Sequence, residues 1–112
     1  MKILIDADGC PVVDLTLQAA AEHGLEAILF CDTSHEFKEK NARVVTVDKG
    51  SDSADFALIR QVKPGDIVVT QDYGLAAMVL AKRGYPITQN GKRLTDANID
   101  TLLLTRHSAK KA

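Results

Sequence analysis

Aspartates stand in three short stretches whose spacing suits metal chemistry. Asp6 and Asp8 are two residues apart, which places both on one side of an extended segment. Asp52 and Asp55 are three apart, which places both on one face of a helix's first turn. Asp72 stands alone further on, and Asp48 precedes the second pair. Two carboxylates about 6 Å apart repel by roughly 3 kcal/mol at an effective dielectric of about 20. Several brought together therefore need a cation or protons to offset the repulsion. Oxygen-only ligands with retained waters suit Mg²⁺ or Mn²⁺, and Asp6, Asp8, Asp52, Asp55 and Asp72 are the expected ligands.

Those residues converge only if the chain brings them to one rim. Ile3-Leu4-Ile5 is a short apolar run, a strand buried on both faces. A turn over Asp6 to Cys10 follows, and Pro11 suits the first position of a helix running to about His23, with Val13, Leu17, Ala20 and Ala21 facing inward and Gly24 closing it. Further strands are expected at Ala27 to Phe30, Val44 to Val47 and Ile67 to Thr70, with a short edge strand at Tyr85 to Thr88. Helices are expected on Phe56, Ile59 and Val62, on Leu75, Met78 and Val79 up to Gly84, and across Ile99, Leu102 and Leu103. Strands alternating with helices imply an α/β domain with three layers and a mostly parallel sheet of four to five strands. Chemistry in such folds sits beyond the carboxyl ends of the strands, where strand order reverses. Asp6 and Asp8 follow strand one, Asp52 and Asp55 follow strand three, and Asp72 follows strand four.

Plainer roles compete for several of these residues. Asp72 fits a helix N-cap, as does Asp52 or Ser51. Asp55 in a first helical turn is favoured by the helix dipole, and Asp48 reads as a solvated turn residue. Asp6 and Asp8 lie too far ahead of the helix at Pro11 to cap it. Cys10 reads as a small packed thiol, and His23, His35 and His107 show no metal-ligand spacing. Lys82-Arg83, Lys92-Arg93, and Arg106 with Lys110-Lys111 are short basic pairs. Of these, Lys92 and Arg93 are expected to meet a phosphate backbone.

The bulk numbers narrow the class. A chain of 112 residues is one domain with an aliphatic core, since it has no Trp, two Tyr and three Phe. A net charge of −1 speaks against a generic nucleic-acid coat or a membrane-surface protein. A metal could still supply positive charge locally. No apolar stretch reaches signal-peptide or membrane-span length, so a cytoplasmic protein with no membrane partner is expected. Cys10 and Cys31 are then free thiols. The domain is expected to span residues 1–106, with a flexible basic tail over 107–112.

Three motifs in order resemble one family. Asp6-Ala7-Asp8-Gly9-Cys10-Pro11, Ser51-Asp52-Ser53-Ala54-Asp55 and Val68-Val69-Thr70-Gln71-Asp72-Tyr73-Gly74-Leu75-Ala76 are similar to those of the YaiI/YqxD family of bacterial PIN-like proteins. The resemblance covers nearly the whole chain. It implies a PIN-like (Rossmann-like) α/β/α fold and, as in PIN ribonucleases, RNA cleavage with acidic side chains and Mg²⁺ or Mn²⁺. Thr70-Gln71-Asp72 is similar to the Thr-x-Asp segment of PIN domains, which adds Thr70 to the expected substrate contacts. In that family an Arg usually precedes the glycine of the turn after the last strand, where this chain has Asn90.

Three functions follow as expectations. The first is a metal-dependent phosphodiesterase acting on RNA, with Asp6, Asp8, Asp55 and Asp72 catalytic and Asp52 assisting. The second is a phosphatase of the haloacid-dehalogenase type, because Asp6-x-Asp8-Gly9 resembles that nucleophile motif; Asp6 would be phosphorylated and Asp8 would act as acid and base. The third is a non-catalytic, metal-stabilised module that binds RNA or protein.

Overall fold

The apolar run at the N-terminus becomes the central strand of the sheet. The computed structural model describes residues 1–7, 12–31, 42–46, 53–95 and 97–99. Strands β1 (Lys2–Asp6), β2 (Glu26–Cys31), β3 (Arg43–Thr46), β4 (Ile67–Val69) and β5 (Tyr85–Ile87) alternate with helices α1 (Val13–Glu22), α2 (Ser53–Gln61) and α3 (Tyr73–Ala81), except that 32–41 lies outside the described residues. All neighbouring strands pair in parallel, in the order β3-β2-β1-β4-β5. This is a Rossmann-like α/β/α arrangement, as expected from the alternation of elements.

Side chains alternate across each strand, so one strand feeds two cores. Ile3, Ile5, Leu29 and Val69 meet Val13 and Ala20 of α1 on one face. Leu4, Ile28, Phe30 and Val68 meet Leu58, Leu75 and Val79 of α2 and α3 on the other. The handedness of parallel crossovers accounts for this division. The chain steps outward from β1 to β2 in one direction and from β3 through β4 to β5 in the other. Each fully buried aliphatic side chain contributes roughly 1.5–3 kcal/mol.

The inner faces of the helices differ from expectation. Ala21 is exposed, and α1 turns Val13, Leu17 and Ala20 inward. On α2, Leu58 takes the core, as does Val62 just past its end, while Phe56 is 54% exposed. On α3, Ala76 joins Leu75 and Val79 in the core and Met78 is 39% exposed. α1 also starts at Val13, with Val12 as N-cap and no side-chain capping bond, two residues later than Pro11 suggested. Gly24 closes α1 as expected, at φ +66, with Leu25 N–H donating to Ala20 O at 2.8 Å.

The end of α3 shows a different solution. Arg83, not Gly84, takes the left-handed conformation, at φ +65. Gly84 is needed for close approach, because a Cβ there would stand 2.7 Å from Val79 Cγ1 and 3.2 Å from Asp66 O. After β5, Gly91 turns the chain at φ +83, and Arg93 bridges back to Ile87. Thr95 then opens a helical turn, its N–H held by Asn98 Oδ1 at 2.8 Å. Ile99 of that turn packs on Ala76 and Leu94; the remainder of the expected last helix and the basic tail lie outside the described residues.

The starts of β1 and β4 are tied by a buried ion pair. Asp66 accepts hydrogen bonds from Lys2 Nζ, from Lys2 N at 3.1 Å and from Lys63 N at 2.9 Å. Burial raises the carboxyl's pKa. The hydrogen bonds from Lys2 and Lys63 and the Lys2 charge outweigh burial and hold the group below its ordinary 3.8.

Candidate functional site

The sheet order reverses between β1 and β4, because β1 leads outward to β2 and β4 leads outward to β5. Asp6 is the last residue of β1, and Thr70 directly follows β4. Thr70 is 1% exposed, and its backbone N–H extends the ladder to Ile87 O at 3.0 Å. Its hydroxyl donates to Asp6 Oδ2 at 3.0 Å and accepts from Asp72 N–H at 3.0 Å. One buried hydroxyl thereby fixes a carboxylate on β1 and the entry to α3.

Asp72 does serve as the N-cap of α3. Its Oδ1 accepts from Leu75 N–H at 3.1 Å, and its carbonyl accepts the first intrahelical bond, from Ala76 N–H at 2.9 Å. That cap uses one carboxylate oxygen. Asp72 also lines a hollow of about 280 Å³ with Asp55, Phe56, Gly74, Leu75 and Met78. Gly74 keeps the hollow open beside the cap, since a Cβ there would stand 3.2 Å from Asp72 Oδ1. The helix N-termini lie at this rim and favour negative charge, which offsets part of the repulsion between carboxylates.

Asp6, Asp55 and Asp72 are therefore linked through two relationships, the Thr70 hydroxyl and the shared hollow. Among the described residues, no three His, Cys, Asp or Glu side chains gather into a group that would hold a metal ion. Asp8 and Asp52 lie outside the described residues, as do Asp48 and Cys10. The donor set present is all oxygen, and Mg²⁺ is commonly held by one or two carboxylates with waters and phosphate oxygens completing its shell. The described carboxylates meet only in pairs, Asp6 with Asp72 through Thr70 and Asp55 with Asp72 at the hollow, so a shell of that kind would take one or two of them at a time.

The expected substrate contacts divide. Lys92 is exposed at the same end of the sheet as Thr70, its N–H donating to Thr88 Oγ1 at 3.1 Å. Arg93 is directed to the other end, with its guanidinium 4.7 Å from the ring centroid of Tyr85, the first residue of β5. Tyr85 is in register with Ile67, where β4 begins, and the aspartates lie past its end. Sequence reasoning missed the exposed Phe56 and Met78 at the acidic hollow because helical periodicity assigned both to the core. It also missed Gln71, whose Oε1 accepts from Gln89 N–H at 3.2 Å and braces the loop after β5.

Among the described residues no helix is long and apolar enough to cross a membrane. No solved structure is a significant match to this chain. A family model described as the uncharacterised YaiI/YqxD family matches residues 4–112. A UPF0178 protein of Exiguobacterium sibiricum is 56% identical over 107 residues, covering 96% of this chain and 73% of the relative. A UPF0178 protein of Alkaliphilus oremlandii is 49% identical over 111 residues, covering 99% of this chain and 72% of the relative. One from Clostridium acetobutylicum is 47% identical over 112 residues, covering 100% and 76%. On both the family match and these identities, the chain belongs to the YaiI/YqxD family.

Proposed function

We propose that this protein is a metal-dependent phosphodiesterase of the PIN-like type that cleaves RNA in the cytoplasm. The observation that carries the reading is the hydrogen-bonded chain Asp6–Thr70–Asp72 at the switch point of the sheet. A carboxylate fixed by a buried hydroxyl at that place is already oriented before any ligand arrives, which lowers the cost of binding. Asp6, Asp55 and Asp72 would hold Mg²⁺ or Mn²⁺ together with Asp8, with Asp52 assisting through water. An ion held there would lower the pKa of a water nucleophile and offset charge on the phosphate. Thr70 acts by positioning Asp6 and the start of α3, and Lys92 stands where it can meet the RNA backbone.

The test is cleavage of a mixed-sequence RNA by the wild-type chain and by Asp6→Asn, with Mn²⁺ and with EDTA. Cleavage that needs both Mn²⁺ and Asp6 is expected. Undiminished cleavage in EDTA would overturn the proposal, and so would RNA that is bound but left intact in Mn²⁺.

A further inference from the structure

One arginine from each of two basic pairs meets the other at the far end of the sheet from the aspartates. Arg83 and Arg93 are ten positions apart, yet they line one hollow of about 300 Å³ with Leu80, Tyr85 and Thr95. Their backbones are both fixed. Arg83 sits in its left-handed turn with N–H donating to Leu80 O at 2.9 Å and its carbonyl accepting from Gly65 N–H at 3.0 Å. Arg93 is held by its bridge to Ile87, and its carbonyl accepts from Asn98 Nδ2 at 3.2 Å. The Arg93 guanidinium lies over the Tyr85 ring, which favours a cation there.

Charge is not cancelled there by any described carboxylate. Among the described residues neither guanidinium pairs with a carboxylate, and the Lys2–Asp66 ion pair belongs to the starts of β1 and β4. The neighbouring Lys82 is occupied, its Nζ donating to Ile59 O at 2.7 Å. Two arginines with fixed backbones lining one hollow, one with its guanidinium over a half-exposed aromatic ring, supply donors suited to a phosphate group.

We propose that the Arg83–Arg93 hollow binds a backbone phosphate of single-stranded RNA at a distance from the aspartates. The identification of the polyanion as RNA rests on the function proposed above; the anion site itself does not. The hollow and the acidic rim lie at opposite ends of α3, nine residues or about 14 Å of helix. A strand a few nucleotides long covers that span. Tyr85, 42% exposed, adds an aromatic surface of the kind on which unpaired bases stack.

The test is fluorescence anisotropy of a dye-labelled single-stranded RNA 12-mer at several salt concentrations, in EDTA so that the probe stays intact. The proteins are wild type, the double variant Arg83→Asn with Arg93→Gln, and Arg93→Lys. Asn is chosen at position 83 because it tolerates the left-handed conformation. The double variant is expected to bind roughly tenfold more weakly or worse. The slope of log affinity against log salt should fall by about 0.7 for each phosphate no longer neutralised. Arg93→Lys keeps the charge but removes the guanidinium, and intermediate binding is expected. Unchanged affinity and slope in the double variant would overturn the site. If that variant does not fold, the wild-type amide resonances of Gly84 and Leu94 decide: they should shift on adding RNA, and fixed positions overturn the proposal. Arginine-dependent binding without Mn²⁺-dependent cleavage would retire the nuclease and keep this site. Cleavage with arginine-independent binding would do the reverse.

Discussion

Thr70 Oγ1 donates to Asp6 Oδ2 at 3.0 Å, joining the end of β4 to the end of β1 where the sheet changes direction. The same oxygen accepts from Asp72 N–H. Thr70→Val keeps the shape and removes both bonds, leaving two polar groups to find other partners. Urea denaturation should show a drop of about 1–3 kcal/mol, and Thr70→Ser should restore most of it. Equal stability of the Val and wild-type chains would remove Thr70 from its positioning role.

Capping and the proposed metal binding can be separated at Asp72. Asn caps a helix about as well as Asp, whereas Ala costs roughly 1 kcal/mol. Thermal melts should therefore rank Asp72→Asn near wild type and Asp72→Ala below it. Mn²⁺ titration should instead group the two variants together, both weakened, because both lack the charge. A variant Asp72→Asn that binds Mn²⁺ as wild type does would leave Asp72 as a cap alone.

Acid should loosen the tie between Lys2 and Asp66. The Asp66 pKa is lower in the folded chain than its ordinary 3.8, so the unfolded chain holds that proton more tightly. The stability contributed is complete above 3.8 and is lost as pH falls through the folded-state value. Removing one partner of a buried pair costs about 3 kcal/mol or more. Asp66→Asn should accordingly lose about that much in urea unfolding at pH 7, with the gap to wild type narrowing below the unfolded-state value. A gap that stays constant down to pH 2 would contradict the ion-pair account.

Gly84 is required for space. A methyl group there meets Val79 Cγ1, Val62 Cγ1 and the backbone oxygen of Asp66 together. Overpacking of that kind costs about 1–3 kcal/mol, so Gly84→Ala should lower the melting temperature. An unchanged melting temperature would mean that β4, α2 and α3 yield at this point.

Much of the fold is legible in the sequence because burial leaves simple traces. Ile3-Leu4-Ile5 is apolar on both faces because helices cover both faces of β1, and the β-branched Val44-Val45 marks the edge strand β3. Asp72 is legible because a carboxylate between a strand end and a helix start lies near the rim, whereas Thr70 is picked out only by the resemblance to the Thr-x-Asp segment. Helix faces are less legible: Phe56 and Met78 satisfy the periodicity of a buried stripe, but Leu58 and Ala76 fit nearer the sheet and win those positions. The Lys2–Asp66 pair leaves no local pattern, since its partners are 64 residues apart and meet only once β1 and β4 are adjacent. The direction of Arg93 is hidden likewise. It depends on the Gly91 turn folding the chain back along β5.

The metal binding proposed for the rim turns on Asp6, and calorimetric titration of Mn²⁺ into the wild-type chain and into Asp6→Asn tests it most directly. A saturable heat is predicted for wild type, absent from a folded Asp6→Asn protein whose melting temperature in EDTA is unchanged. An identical binding isotherm for the two proteins, or no binding to wild type at millimolar Mn²⁺, would contradict it.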